Sequence, residues 1–335
     1  MRKFGIRAAC AVLIMVILSG SALAAELLVP VGRTIGLELE ANGLAIADFD
    51  ATLGESAKKA GLKTGDILIK VDGQPIETAE DLQKAVSQAK GNVVLTVRRG
   101  QEELNITLTP QDTQDRQKRL GIYVREGIAG VGTVTYYDPN SGRFGALGHG
   151  VSDSEGNLLP LKSGNALDAE VVAVKKGKVG APGQLRGAFQ EDDIIGTLSA
   201  NTKCGIFGTS PAGWKGIALP VAEISEIHTG SATILSNVSG TEVREYSVEI
   251  LKVYPGEKAC GRNLLLHVTD PALLEATGGI VQGMSGSPIL QDGRFIGAVT
   301  HVLVNDPTTG YGIFLENMLQ AANGQLTESV THTAA

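Results

Sequence analysis

The sequence predicts a mostly β protein with two domains, and three observations support this. The chain has 335 residues, enough for about two domains of roughly 100–200 residues each. It contains 43 glycines and only 4% aromatic residues, and its many Val, Ile and Thr indicate short strands joined by tight turns. A polar stretch at 111–120 lacks an apolar period, which predicts a linker between a first region, 31–110, and a second, 121–323.

The composition excludes several classes of function. Hydrophobic residues make up 43% of the chain and charged residues 19%, which is typical of a globular protein. The net charge is −7 and no long basic run occurs, which argues against a nucleic-acid partner. No set of His, Cys and carboxylate residues has the spacing of a zinc site, so we expect no metal and no cofactor.

Residues 1–24 have the pattern of a targeting segment. Arg2, Lys3 and Arg7 precede the apolar stretch Ala8–Leu18, and residues 22–24 have the small-x-small pattern of a cleavage site. A cleaved signal peptide and an uncleaved signal anchor both fit, although the apolar stretch is short for a bilayer span. Either one exports the rest of the chain, to be secreted or tethered to the membrane. The other end of the chain, 324–335, is a polar tail.

The three cysteines predict little structure. Cys10 lies in the targeting segment, which leaves Cys204 and Cys260. An oxidising compartment permits a disulfide between them. A single pair without metal spacing favours two separate buried thiols instead.

The first region has the pattern of a small α+β domain. Its clearest element is the helix Thr78–Ala89, in which Thr78 is a good N-cap and Leu82 and Val86 share one face. Strands are predicted at Thr34–Glu40, Asp66–Val71, Val93–Arg98 and Leu104–Leu108, with a short helical turn at Ser56–Ala60.

The loop Gly283–Pro288 carries the sharpest chemical signal. Its glycines allow a tight turn, in which the N–H groups of Gly283 and Ser285 can point at one spot. An oxyanion forms at such a spot when a serine attacks a carbonyl, so Ser285 is a candidate nucleophile and Gly283 and Ser285 a candidate oxyanion hole. The loop resembles the nucleophile loop of chymotrypsin-like serine proteases.

His149 is the candidate general base. It is flanked by Gly148 and Gly150 after an apolar stretch, and it precedes Ser285 by about half a domain. A neutral imidazole can take the hydroxyl proton of serine and pass it to the leaving amine. His301 follows the nucleophile loop and could line the same cleft, but its place in the chain order does not fit the base.

Two residues are candidates for the acid that orients the histidine. Asp270 ends a strand, and because Pro271 follows, it also has the pattern of a helix N-cap. Asp153 lies four residues after His149. The residues alone leave both candidates open.

The first region resembles a PDZ domain. Ala57–Leu68, followed by Val71–Gly73, is similar to the most recognisable stretch of that family, and Thr34–Leu37 lies where the family has its carboxylate-binding loop. The resemblance implies that a peptide or chain terminus adds as a strand beside Ile35–Leu39, with Ile35, Gly36 and Leu37 as binding residues. A PDZ fold used only for packing is the alternative.

The second region resembles the SpoIVB peptidase family, the stage IV sporulation protein B group of serine peptidases. The matching stretches are Gly130–Thr133, Gly145–His149, Thr269–Pro271, Thr277–Val302 and Asn305–Pro307. This resemblance implies a PDZ domain followed by a chymotrypsin-like double β-barrel domain. It assigns the catalytic roles to His149, Asp270 and Ser285.

The same resemblance implies a function. It indicates a serine endopeptidase that works through an acyl-enzyme without a cofactor. Its substrate would be a membrane-associated regulator of an intramembrane protease, cut during spore formation, and self-cleavage is also implied. The alternative is a PDZ scaffold that binds peptides and carries a degenerate peptidase domain.

Overall fold

The computed structural model describes residues 26–325, apart from 101, 114–116, 153–155, 257–259 and 261. The predicted targeting segment, 1–24, and all but the start of the predicted polar tail lie outside these residues. No helix in the described part of the chain is long and apolar enough to cross a membrane.

The first third of the chain mixes strands and helices. Its elements are β1 (Leu27–Pro30), β2 (Thr34–Phe49), α1 (Gly54–Lys59), β3 (Ile67–Val71), β4 (Gln74–Pro75), α2 (Ala79–Gln88), β5 (Val93–Arg99), β6 (Glu102–Leu108), β7 (Gln111–Asp112) and β8 (Lys118–Arg119). The predicted N-cap of the main helix is confirmed, since Thr78 Oγ1 accepts the N–H of Asp81 and the Asp81 carboxylate accepts the N–H of Thr78.

The rest of the chain is mostly strands. The first group is β9 (Ile122–Tyr137), β10 (Arg143–Ala146), β11 (Ser163–Lys175), β12 (Gln184–Thr202), β13 (Gly205–Thr209) and β14 (Leu219–Pro220). A 3-10 turn, Ile224–Glu226, leads to β15 (Gly230–Ser236), β16 (Arg244–Val253), β17 (Leu264–Val268), α3 (Pro271–Thr277), β18 (Pro288–Gln291), β19 (Arg294–Leu303), β20 (Asp306–Phe314) and α4 (Leu315–Ala322).

Two six-stranded antiparallel barrels form the larger part of the structure. Barrel 1 closes in the order β9, β10, β13, β12, β11 and β2, with β2 pairing back to β9. Barrel 2 closes in the order β15, β16, β17, β20, β19 and β18. Buried aliphatic side chains fill each barrel, for example Ile35 and Val134 in barrel 1 and Ile234 and Leu266 in barrel 2. The predicted double β-barrel is confirmed.

A small α+β unit with its own core precedes the barrels. The end of β2, β3, β5 and β6 form its sheet, and α1 and α2 pack on it. Leu44, Leu68, Leu82, Val86 and Leu95 are buried between these elements. This unit is the predicted PDZ domain.

The predicted boundaries of the two domains are wrong, because two long strands pass through both. Residues 34–40 of β2 pair with β9 inside barrel 1, whereas 45–49 pair with residues 122–125 in the PDZ sheet. A break in register between Glu40 and Ala45 marks the passage. The alternation of apolar and polar residues along a strand stays the same when its partner strands change. The sequence therefore does not indicate that β2 continues from barrel 1 into the PDZ sheet.

The predicted linker, 111–120, is also different in the structure. β7 pairs with β8 to form a hairpin, and the Lys118 ammonium donates a hydrogen bond to the Ala89 carbonyl at the end of α2. The hairpin therefore packs on the PDZ unit, although residues 114–116 lie outside the described part.

Cys204 and Cys260 form a disulfide, so the prediction of two separate thiols is wrong. Cys204 lies in the turn after β12 of barrel 1, and Cys260 lies between β16 and β17 of barrel 2. Their Cα atoms are 4.8 Å apart, although 56 positions separate them in sequence. The bond joins the two barrels covalently. The two cysteines meet only because the barrels pack against each other. Their separation in the sequence gives no indication of this packing.

Candidate active site

A cleft of about 460 Å³ lies between the two barrels. His149, from barrel 1, and Ser285, from barrel 2, both line it. Apolar side chains make up much of the remaining wall, among them Leu37, Val131 and Val302. Among the described residues that line the cleft there is no Asp, Glu, Lys or Arg. The cleft therefore brings a serine and a histidine together in an apolar setting.

The loop that carries Ser285 is held by its own backbone and by two glycines. The N–H of Met284 donates to the Val281 carbonyl, and the N–H of Ser287 donates to the Met284 carbonyl. Gly283 and Gly286 have φ angles of +99° and +97°, which L side chains rarely adopt. A Cβ at Gly286 would also lie 2.1 Å from the Thr133 carbonyl oxygen. The sequence forms this turn because glycine stands at both positions.

The two predicted oxyanion donors are available. Within the described part of the chain, the N–H groups of Gly283 and Ser285 donate to no protein acceptor. Ser285 itself is half-buried at the end of the cleft, and its Oγ donates to the Thr300 carbonyl at 2.7 Å. To meet a base, this hydroxyl has to rotate away from Thr300.

His149 is held in the tautomer that a general base needs. It follows β10 through Leu147 and Gly148, whose φ angles of +69° and +68° turn the chain sharply. Its Nδ1 lies 2.9 Å from the Gly150 carbonyl oxygen, which can only accept a hydrogen bond. Nδ1 therefore carries the proton, and Nε2 is free to take one. Burial lowers the pKa of His149 below its ordinary value, so the ring is neutral at pH 7.

His301 lines the same cleft, as its position in the sequence predicted. Its ring centroid is 5.2 Å from that of His149. Burial is the main cause that lowers the pKa of His301 to about 4, followed by repulsion from His149 when that ring is protonated and from the charge of Arg262. His301 is therefore neutral at pH 7 and adds no charge to the cleft.

The structure does not bring Asp270 to His149. One oxygen of its carboxylate accepts the N–H of Leu273 at 3.0 Å, and the other accepts the N–H of Ser247 at 3.3 Å. Asp270 is the N-cap of α3, with Pro271 at the first helical position, and it is not among the residues that line the cleft. The acid assignment taken from the family resemblance finds no support in these contacts and stays a prediction. The rival candidate, Asp153, lies outside the described residues.

The predicted PDZ binding residues lie inside barrel 1, so this assignment is also wrong. Gly36 is paired with Val131 of β9 on one side and with Leu167 of β11 on the other. Ile35 and Leu37 are buried. A strand with partners on both edges has no free hydrogen-bonding groups for a peptide.

A different groove in the PDZ unit has a free strand edge. It holds about 270 Å³ and lies between α2 and the start of β9, with Leu82, Val86 and Ile122 in its wall. Residues 122–125 of β9 pair with β2 on one side, and no described strand pairs with their other edge. The turn Leu120–Gly121 leads into this edge. The sequence-based boundaries divided this turn between the linker and the second region, so the groove was missed.

The described residues contain no group of three or more His, Cys, Asp or Glu side chains arranged to hold a metal ion.

The observed cap predicts the behaviour of two Asp270 variants. Asp270→Asn should keep its activity within about threefold, because Asn caps a helix nearly as well as Asp. Asp270→Ala should lower the free energy of unfolding by about 1 kcal/mol. The measurements are kcat/KM on a fluorogenic peptide and urea unfolding. An activity loss near 10⁴-fold in folded Asp270→Asn, as expected for a triad carboxylate, would contradict the cap assignment.

Comparison with known proteins identifies both parts of the chain. A family model described as SpoIVB peptidase S55 matches residues 116–319, and a PDZ domain model matches residues 54–99. In fold, the chain is similar to the active form of the Rv3671c protease from M. tuberculosis, with 14% sequence identity and a TM-score of 0.33. That likeness covers 61% of this chain and 77% of the other.

Curated relatives match over shorter stretches. A protein of Mesorhizobium japonicum named as a zinc metalloprotease is 36% identical over 83 residues, 24% of this chain. The serine protease HTRA1 of Xenopus tropicalis is 34% identical over 58 residues, 17% of this chain. The chain spans only 22% and 13% of the length of these two relatives. The peptidase model, by contrast, matches more than half of the chain and includes both His149 and Ser285, so the chain belongs to the SpoIVB peptidase S55 family.

Proposed function

We propose that this serine peptidase is an endopeptidase that cleaves an extended segment of another protein in the cleft between its barrels. One observation carries the proposal: Ser285 and His149 come from opposite barrels and line the same cleft. The neutral His149, whose Nε2 has no hydrogen-bond partner among the described residues, and the two available N–H groups of the nucleophile loop supply the remaining chemistry.

The reaction follows from these groups. Ser285 Oγ rotates from the Thr300 carbonyl to Nε2 of His149, which takes its proton as Oγ bonds to the scissile carbonyl carbon. The N–H groups of Gly283 and Ser285 stabilise the oxyanion. The imidazolium then gives its proton to the leaving amine, the C–N bond breaks, and water hydrolyses the acyl-enzyme by the same steps. The Gly150 carbonyl keeps the Nδ1 proton in place throughout.

The cleft favours apolar substrate side chains. Its described wall has no ionised side chain at pH 7, and burying a charged residue there would be costly. The ladder between β18 and β19 ends at Ala298, and the backbone of Val299 beyond it is bonded to Gly286 and Ser287 of the nucleophile loop. From His301 onward no described strand pairs with this edge of β19, which leaves it open to a substrate strand. We infer that the enzyme cuts beside aliphatic residues in an extended segment.

The biological setting is inferred from the family and the targeting segment. The substrate we propose is a membrane-associated regulator of an intramembrane protease, cut during spore formation, and the chain also cuts itself. Export across the cytoplasmic membrane is supported by the pattern of residues 1–24, and by the Cys204–Cys260 disulfide, since such bonds persist in oxidising compartments.

Ser285→Ala tests the proposed chemistry. Turnover of a fluorogenic peptide should fall by about 10⁴-fold or more, because the nucleophile is lost. Ser287→Ala is the matched control, since Ser287 is buried two residues away and its Oγ has no hydrogen-bond partner among the described residues. Near-normal cleavage by folded Ser285→Ala would remove Ser285 from the mechanism. A folded wild type that neither cleaves nor reacts with a fluorophosphonate would favour the scaffold alternative.

The groove between α2 and β9 is proposed as the peptide-binding site of the PDZ unit. A peptide would add as a strand to the free edge at 122–125, and its side chains would contact Leu82 and Val86. The terminal carboxylate would lie at the Leu120–Gly121 turn, which begins that edge.

Gln83→Trp tests this groove, because Gln83 is exposed and lines it. Decapeptides with free C-termini, selected on the wild type from a random library, should bind at least about tenfold more weakly to the variant. Gln88→Trp is the control, since Gln88 is exposed on the same helix but does not line the groove. Fluorescence anisotropy measures the affinities. Equal affinity for all three proteins would place the peptide elsewhere.

A further inference from the structure

Thr133 on β9 makes contacts with both catalytic segments. Its N–H donates to the Ser285 carbonyl at 3.1 Å, and its carbonyl accepts the N–H of Leu147 at 3.1 Å. Its Oγ1 donates to the Gly283 carbonyl at 2.7 Å. The residue has no exposed surface and is not among those that line the cleft. All of its polar groups are therefore directed at the nucleophile loop and at the segment that leads to His149.

Thr133 contacts two carbonyls of the nucleophile loop, those of Gly283 and Ser285. The peptide group that links Met284 to Ser285 lies between them. The Gly283 carbonyl belongs to the peptide plane before Met284, and the Ser285 carbonyl belongs to the plane after Ser285. Between them lies the plane that carries the N–H of Ser285, one of the two oxyanion donors. When both outer planes are held, the direction of this N–H is also restricted.

The contact with Gly283 matters most, because glycine does not hold its own conformation. Gly283 has a φ of +99° and no side chain, so its peptide groups turn more easily than those of other residues. Oxyanion donors work only when they are fixed in advance at the position where the charge develops. The hydrogen bond from the Thr133 hydroxyl holds the Gly283 carbonyl in one orientation.

The contact between Thr133 and Leu147 also restricts the position of His149, the proposed base. Leu147 begins the sharp turn that ends at His149, and its N–H is held by the Thr133 carbonyl. One residue of barrel 1 thus relates the position of the base to that of the nucleophile on barrel 2.

We propose that Thr133 is a positioning residue for catalysis, whose hydroxyl fixes the oxyanion-binding turn through the Gly283 carbonyl. It touches neither the substrate nor the reacting atoms. The inference rests on the proposed peptidase chemistry, and it adds a residue to which no catalytic role was assigned.

Thr135 provides a matched control. It lies two residues along the same strand and is equally buried. Its Oγ1 has no hydrogen-bond partner in the described part of the chain. Replacing either threonine with valine removes one buried hydroxyl and keeps the shape of the side chain, but only Thr133→Val breaks a contact with the nucleophile loop.

The experiment compares the full-length wild type with Thr133→Val, Thr133→Ser and Thr135→Val. On a fluorogenic peptide, Thr133→Val should lower kcat by about 10- to 100-fold, with KM within about twofold, since binding of the ground state is unchanged. The rate of labelling by a fluorophosphonate should fall in parallel. Thr133→Ser restores a hydroxyl and should recover kcat to within about threefold, and Thr135→Val should match the wild type.

The outcomes separate this inference from the function it rests on. Equal kcat for folded Thr133→Val and Thr135→Val would overturn the positioning role, as would a loss that Thr133→Ser does not recover. If Thr133→Val does not fold, Thr133→Cys, with its weaker donor, takes its place under the same criteria. A wild type that is neither active nor labelled would instead refute the peptidase proposal itself.

Discussion

The pairing of β2 with β9 is the interaction on which the rest of the structure depends. The ladder begins in the PDZ sheet, where Phe49 lies opposite Ile122, and ends in barrel 1, where Thr34 lies opposite Thr133. The two domains therefore share two continuous strands. One end of β9 forms the free edge of the proposed peptide groove, and the other contacts the loop that carries Ser285. A peptide bound at the groove would contact the same strand that holds the nucleophile loop.

The proposed mechanism depends on how accurately the two barrels are held together, because each contributes one of its two reacting side chains. The Cys204–Cys260 disulfide fixes the barrels at one place, and the pairing of Gln184 with Gln282 joins them beside the nucleophile loop. Thr133 joins them at the loop itself. Small displacements of reacting groups are costly in catalysis, so these contacts are expected to matter more for turnover than for stability.

Local features of the site were predictable from the sequence, and features that depend on distant pairing were not. The turn around Ser285 is dictated by the glycines beside it, and the cap at Thr78 by residues within one helical turn. The disulfide and the partners of β2 depend on segments far apart in the chain. Asp270 shows the limit of local patterns. Its Pro271 neighbour indicated a helix cap, which the structure shows, whereas the catalytic role implied by the family resemblance depends on distant contacts and stays a prediction.

The role of Thr133 was hidden for a related reason. The stretch Gly130–Thr133 is one of those that resemble the family, but this resemblance does not indicate what the threonine contacts. A threonine in a strand is ordinary, and nothing local shows that its hydroxyl reaches Gly283, 150 residues further along the chain. The barrel has to close before that contact exists.

The central claim is that His149 works as a buried base whose tautomer is set by the Gly150 carbonyl, with no carboxylate of the described residues beside it. Burial without an acidic partner lowers the pKa of a histidine, whereas a neighbouring carboxylate raises it. The most direct test is an NMR titration of the His149 ring in the inactive Ser285→Ala variant. The account predicts a pKa below the ordinary 6.5, with the ring neutral above it. A pKa above about 7 would show that a carboxylate pairs with His149 and would contradict the account.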